Sequence, residues 1–269
     1  MPESKPVLKD VFILRPVFIF LLIVYHAFII YQGGWSEPSG FAPVEAYWWV
    51  AKLSYSILLP LFVFVSGYVY AFQILVLKKQ VSLKSVTFRK FKRLLVPCFL
   101  FGIVYYFLFE YNASDFSAFH FFYAVANGTG HLWFLPMLFW CFIAGAIVMK
   151  WKLYDYPVIL AGGGILSMIS FIVPNYFQLS QSAFYFIFFL LGIYTIIYRK
   201  TLLRIFTQKK VLIVSLLGYV LTFIVGTLII ARLTHLPLGS GLIGKAMTLV
   251  AIRVCMIPYI ISGMIVVYG

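Results

Sequence analysis

Arg15 and His26, separated by ten residues in the apolar stretch RPVFIFLLIVYH, are the first pair in the chain whose types and spacing suit chemistry. On a helix, eleven steps of about 100° end about 20° past three full turns, so both side chains share one face about 16 Å apart along the axis. Imidazole is the side chain best matched to taking a proton from a hydroxyl near neutral pH, and guanidinium is suited to gripping phosphate. An ionisable group inside an apolar helix is costly unless it faces an internal cavity, which makes His26 a candidate site residue. The plainer alternatives are a neutral His26 hydrogen-bonded to a neighbouring helix and an Arg15 that snorkels to the interface. Pro16 suits the first turn of a helix, which places Arg15 at one end of the span and His26 a little beyond its middle.

Three further groups follow. In FRKFKRLLVP, the residues Arg89, Lys90, Lys92 and Arg93 precede Pro97. They can bind an anionic phosphate group, with Pro97 opening the helix nearby, or simply mark a cytoplasmic loop. In LPLFVFVSGYVYAF, Pro60 and the pair Ser66-Gly67 interrupt an apolar helix. Small residues there favour close helix packing, and they also let a ligand chain pass, with Ser66 offering a hydroxyl. In HLWFLPML, His131 and Trp133 fit either an interfacial aromatic belt or the flank of a sugar.

Competing chemistries are missing. The chain has no phosphate loop, dinucleotide fingerprint or nucleophile elbow, and its histidines lack metal-ligand spacing. No acidic residue follows Asp155, so the second half offers neither paired-carboxylate catalysis nor a carboxylate proton relay.

The elements that must position these residues are set by composition. Of 269 residues 64% are hydrophobic and 10% charged, and mean hydropathy is +1.02. So little polar surface cannot cover a water-soluble globule, and the surface must face lipid. The net charge of +14 would suggest nucleic acid in a soluble protein. Here the basic residues lie between apolar runs, so they report topology and anionic head groups, and no nucleic-acid partner is expected. Cys98, Cys141 and Cys255 sit inside apolar runs and define no disulfide framework.

A hydrocarbon core of about 30 Å takes roughly 20 residues of helix. Eight windows qualify, near 11–31, 54–77, 94–110, 131–149, 156–173, 182–198, 211–231 and 247–268. Lipid satisfies no open strand edge, so an all-α polytopic transmembrane bundle of about eight spans is expected. The segment 78–93 carries seven basic residues and no acid, and 199–210 carries five more. The positive-inside rule puts both, and both termini, in the cytoplasm. The segment 111–130 is aromatic and fits a short amphipathic piece at the outer interface. No linker breaks the pattern, so residues 1–269 are expected to form a single domain. The chain ends on Val267-Tyr268-Gly269 directly after an apolar run, and a domain short at its C-terminus is expected.

The order of these motifs resembles the acyltransferase-3 family of integral-membrane O-acyltransferases: Arg-x10-His, then PLFVFVSGY, RKFKRLLVP and HLWFL, over about residues 8–140. The resemblance implies transfer of an acyl group, acetyl above all, from cytoplasmic acyl-CoA to a hydroxyl of a cell-surface or lipid-linked glycan. A bacterial inner membrane is the location it implies. His26 would be the base or acyl relay. Arg15, Ser66, Arg89, Lys90, Lys92 and Arg93 would hold the CoA donor, and His131 and Trp133 would face the acceptor. No permanently bound cofactor and no metal are expected, and membrane lipids are the remaining partners. Family members commonly have about ten spans, two more than are readable here. The competing expectations are a flippase for a lipid-linked glycan, and an inactive truncated homologue acting as an assembly subunit. A flippase would be expected to show pseudo-symmetric halves, which this sequence does not.

Overall fold

The structure is a computed structural model and describes residues 9–34, 37–111, 116–206 and 208–235. Among the described residues all regular structure is helical, as a chain that satisfies its backbone within lipid requires. The α-helices are α1 (Lys9–Phe28), α2 (Glu45–Ala71), α3 (Leu83–Lys90), α4 (Val96–Tyr105), α5 (Ala118–Asn127), α6 (Phe134–Lys150), α7 (Val158–Met168), α8 (Leu179–Ile197), α9 (Arg199–Phe206) and α10 (Lys209–His235). Short 3-10 and π turns extend several of them, and α2 is taken together with the π turn Phe72–Val76 that continues it.

Five segments among the described residues are long and apolar enough to cross a membrane: Glu45–Val76, Leu83–Glu110, Gly130–Lys150, Tyr176–Ile197 and Lys209–Leu228. Two shorter apolar helices, Pro16–Gln32 and Val158–Met168, occupy the first and fifth sequence windows. The fifth differs from expectation. Instead of one helix over 156–173, an 11-residue α7 gives way to a 3-10 turn at Ser170–Ile172. Pro157 and Pro174 bound the segment and three consecutive glycines, Gly162 to Gly164, weaken its middle. The window 247–268 lies outside the described residues.

Two other local expectations change. Pro16 lies inside α1, which begins at Lys9, rather than in its first turn. The basic stretch is largely helical: Ser82 caps α3, its Oγ accepting from Ser85 N at 3.4 Å. Arg89 and Lys90 sit in α3, and Lys92 and Arg93 sit in the π turn Phe91–Leu95 that links α3 to α4. Pro97 explains that turn, because it cannot donate to the carbonyl four residues back and the helix widens ahead of it. The aromatic segment does contain a short helix, α5.

The centre of the bundle is the α2–α8 contact. Phe188, Phe189, Leu190 and Ile193 of α8 and Leu61 and Val63 of α2 are wholly buried. The two backbones meet at glycines on both sides. A Cβ on Gly67 would collide with the Phe189 carbonyl, and one on Gly192 with the Phe64 carbonyl. With lipid as solvent, such close van der Waals packing is what holds helices together. Hydroxyls add to it: Ser167 Oγ donates to the Phe184 carbonyl at 2.8 Å, joining α7 to α8. Ser182 Oγ donates to the Met137 carbonyl at 3.2 Å, joining α8 to α6. Ser56 and Tyr219 share a hydrogen bond of 3.1 Å between α2 and α10.

Helix α1 lies antiparallel along α2, and three ring pairs record the register. Phe18 meets Phe62 at 5.7 Å, Tyr25 stacks on Tyr55 at 4.6 Å, and Phe28 meets Tyr47 at 5.1 Å. Two cavities open along this pair of helices.

Candidate active site

The first cavity encloses about 440 Å³ and is built around His26. Tyr25 and His26 reach it from α1, Tyr55, Leu58, Leu59 and Phe62 from α2, and Tyr105 from the end of α4. Gly130, His131 and Trp133 come from the 3-10 turn that opens α6, together with Phe134.

His26 Nδ1 lies 2.8 Å from the Leu22 carbonyl. A carbonyl only accepts, so Nδ1 carries a proton and donates it to Leu22. The ring stands edge-on to Tyr25 at 5.2 Å and to His131 at 6.0 Å. His131 in turn stands edge-on to Tyr105 at 6.1 Å. The turn that carries His131 is anchored to α4, Thr129 Oγ1 donating to the Gly102 carbonyl at 3.4 Å. Gly130 has a positive φ of 54°. A Cβ there would lie 2.8 Å from the far end of the Tyr105 ring, so glycine lets the turn approach α4 without moving that ring. Trp133 packs against Tyr185 of α8 at 6.2 Å, which fixes the far wall.

The second cavity encloses about 590 Å³ and differs in charge. Lys79, Arg89, Lys90 and Arg93 line it, and among the described residues no carboxylate does. Ser66, Tyr70 and Gln73 of α2 add polar groups, and Phe18, Ile19 and Phe142 supply apolar wall. Arg89, Lys90 and Arg93 can share a face because they stand at i, i+1 and i+4. Lys90 Nζ lies 3.2 Å from the centre of the Phe142 ring, a cation–π contact that lets the ammonium sit in a partly buried place. Ser66 Oγ donates back to the Phe62 carbonyl at 2.9 Å. The Tyr70 hydroxyl is buried with no hydrogen-bond partner among the described residues.

The structure therefore gathers the sequence-predicted residues into two groups, with His26, His131 and Trp133 in one cavity and Ser66, Arg89, Lys90 and Arg93 in the other. Lys92 lines neither, and its ammonium lies 4.7 Å from the centre of the exposed Phe88 ring. Arg15 is on α1 one turn before Ile19, and its side chain lies outside the described residues. Sequence reasoning missed Tyr25, Tyr55 and Tyr105 around His26, and Tyr70, Gln73 and Lys79 in the basic cavity. Helical periodicity could have found some of them, since Tyr55, Leu59, Phe62, Ser66 and Gln73 fall on one stripe of α2 at steps of three, four and seven. Nothing local points to Tyr105.

The two cavities follow one another along α1 and α2. On α1, Phe18 and Ile19 line the basic cavity, and Leu22, Tyr25 and His26 line the other. On α2 the basic cavity takes residues from Phe62 to Gln73, and the histidine cavity takes Tyr55 to Phe62. Phe62 belongs to both linings. The arrangement can hold a molecule with an anionic end among the arginines and a reactive end near an imidazole. Seven residues of helix, about 10 Å, separate Ile19 from His26.

A family model described as an acyltransferase domain matches residues 10–269. No curated protein and no solved structure matches the chain.

Proposed function

The chain belongs to the acyltransferase-3 family, and from that premise we propose that it is a membrane O-acyltransferase that moves an acyl group, acetyl above all, from acyl-CoA to a hydroxyl of a cell-surface or lipid-linked glycan. One observation carries this reading: a basic cavity and a histidine cavity lie end to end along the same two helices. Arg89, Lys90 and Arg93 hold the phosphates of CoA, Arg15 and Lys92 supply charge at the entrance, and Ser66, Tyr70 and Gln73 meet polar groups of the donor. The pantetheine arm runs along α1 toward His26, which places the thioester beside the imidazole.

The chemistry uses the His26 imidazole as a general base. Nε2 of His26 takes the proton of the acceptor hydroxyl as that oxygen attacks the thioester carbonyl, forming the new C–O bond. The C–S bond then breaks, and the CoA thiolate recovers the proton from the imidazolium. His131 and Trp133 orient the acceptor, with Trp133 offering an aromatic face to the sugar. The basic end of the bundle faces the cytoplasm, the histidine cavity opens to the other side, the whole chain acts as one domain, and the host membrane is a bacterial inner membrane.

The test is acyl-CoA turnover by the purified protein in lipid vesicles with a glycan acceptor. Transfer should disappear in His26→Ala while CoA binding persists. A parent protein that neither binds CoA nor transfers or hydrolyses its acyl group refutes the reading, and full activity in His26→Ala removes the proposed base. Alkylation of cysteines placed at Lys84 and Ser117 tests the orientation separately.

A further inference from the structure

We infer that Phe62 is the gate between the two cavities, the side chain that the donor arm must displace to bring its thioester to His26; this rests on the acyltransferase reading above. Each cavity has its own opening. Lys79, Arg89 and Arg93 of the basic cavity are exposed, and so are Gly34, Gly130 and His131 of the histidine cavity. Phe62 lies where the two linings meet. Its neighbours Leu61 and Val63 are wholly buried, yet Phe62 itself is 37% exposed.

Two other rings meet it. Phe18 of α1 lies 5.7 Å away and tilted, and Phe134 of α6 lies 5.8 Å away and edge-on. An all-carbon side chain has no hydrogen bond to break when it changes rotamer, so an apolar arm can replace its contacts at little cost. The backbone beneath it is firmer, because its carbonyl accepts from Ser66 Oγ. A ring that yields on a helix that does not is suited to swinging aside for the arm and returning when it leaves.

The gate makes size-dependent predictions for two donors. Acetyl-CoA, anchored by its phosphates in the basic cavity, must pass Phe62. S-acetyl-N-acetylcysteamine lacks the phosphates and can reach His26 through the opening at Gly34 and Gly130. In Phe62→Trp the kcat/KM preference for acetyl-CoA over the small donor should fall by about a hundredfold, because a blocked arm misplaces the reacting carbon. CoA binding should remain. In Phe62→Ala, with no ring to displace, the kcat/KM preference for acetyl-CoA over the small donor should rise severalfold. The inference is overturned if Phe62→Trp keeps the parent's donor preference, whether both donors react normally or both are lost equally. An unchanged donor preference in Phe62→Ala overturns it as well. If the parent uses neither donor, the acyltransferase reading fails and the gate with it; if the parent uses both and the variants match it, the gate alone fails.

Discussion

The rings of His26 and His131 stand edge to face, 6.0 Å between centroids and 88° between planes, although they come from the first helix and from the turn before the sixth. With Nδ1 of His26 committed to the Leu22 carbonyl at 2.8 Å, the two imidazoles are not equivalent. His26 is tied by its ring to its own helix and is the base in the proposed reaction, whereas His131 sits on an exposed turn beside Tyr105. Replacing His26 with alanine should therefore lower kcat by about a hundredfold or more, the usual worth of a positioned base. His131→Ala should mainly raise KM for the acceptor. Steady-state kinetics with acceptor and donor varied separately distinguish the two, and equal effects of both variants on kcat would contradict this division.

Basic residues in one short stretch should not matter equally. Arg89 and Arg93 line the cavity, so alanine at either should weaken CoA binding by about tenfold, the worth of a charge-assisted hydrogen bond. Lys92 lies over the exposed ring of Phe88, and Lys92→Ala should cost about threefold or less. Calorimetric titration of CoA into the lipid-embedded protein would decide, and a Lys92→Ala loss as large as that of Arg89→Ala would contradict the assignment.

Tyr70 offers a test that separates ligand binding from stability. Its hydroxyl is buried without a hydrogen-bond partner among the described residues, so removing it relieves an unsatisfied group. Tyr70→Phe should leave thermal stability unchanged or slightly higher while weakening CoA binding by several-fold, roughly one hydrogen bond. If stability drops instead, the hydroxyl has a structural partner and no place at the ligand.

The α2–α8 contact predicts a stability effect without a chemical one. Gly67→Ala and Gly192→Ala each push a methyl group into the backbone of the facing helix. Overpacking of that kind costs about 1–3 kcal/mol. Each should lower the thermal unfolding temperature in detergent, and because both variants separate the same pair of helices, the double variant should lose less than the sum. Additive losses would mean that the two glycines act at independent places.

Much of this was legible in the chain alone, for a local reason. Long apolar runs without strand-type alternation point to a helical membrane protein, because lipid offers the backbone no partner and only helices or closed barrels satisfy it internally. Periodicity within one helix puts Arg15 and His26 on a single face of α1, and it aligns Tyr55, Phe62, Ser66 and Gln73 on α2. Helix lengths were less legible. Lipid tolerates apolar residues whether or not a helix spans it, so hydropathy alone does not separate the broken α7 segment from a crossing helix.

What the sequence by itself determined was thus the helices, their apolar character and the residues capable of chemistry. Only the tertiary structure decided which of those residues meet. His131 joins His26, Tyr105 closes on Gly130, Phe62 falls between two cavities, and Lys92 turns away from Arg89 and Arg93. In a soluble protein an amphipathic stripe announces which face points inward. Here nearly every face is apolar because the solvent is, so the inward face is set by close packing between helices, by Gly67 against Phe189 and Gly192 against Phe64, and that register is not written in any one helix.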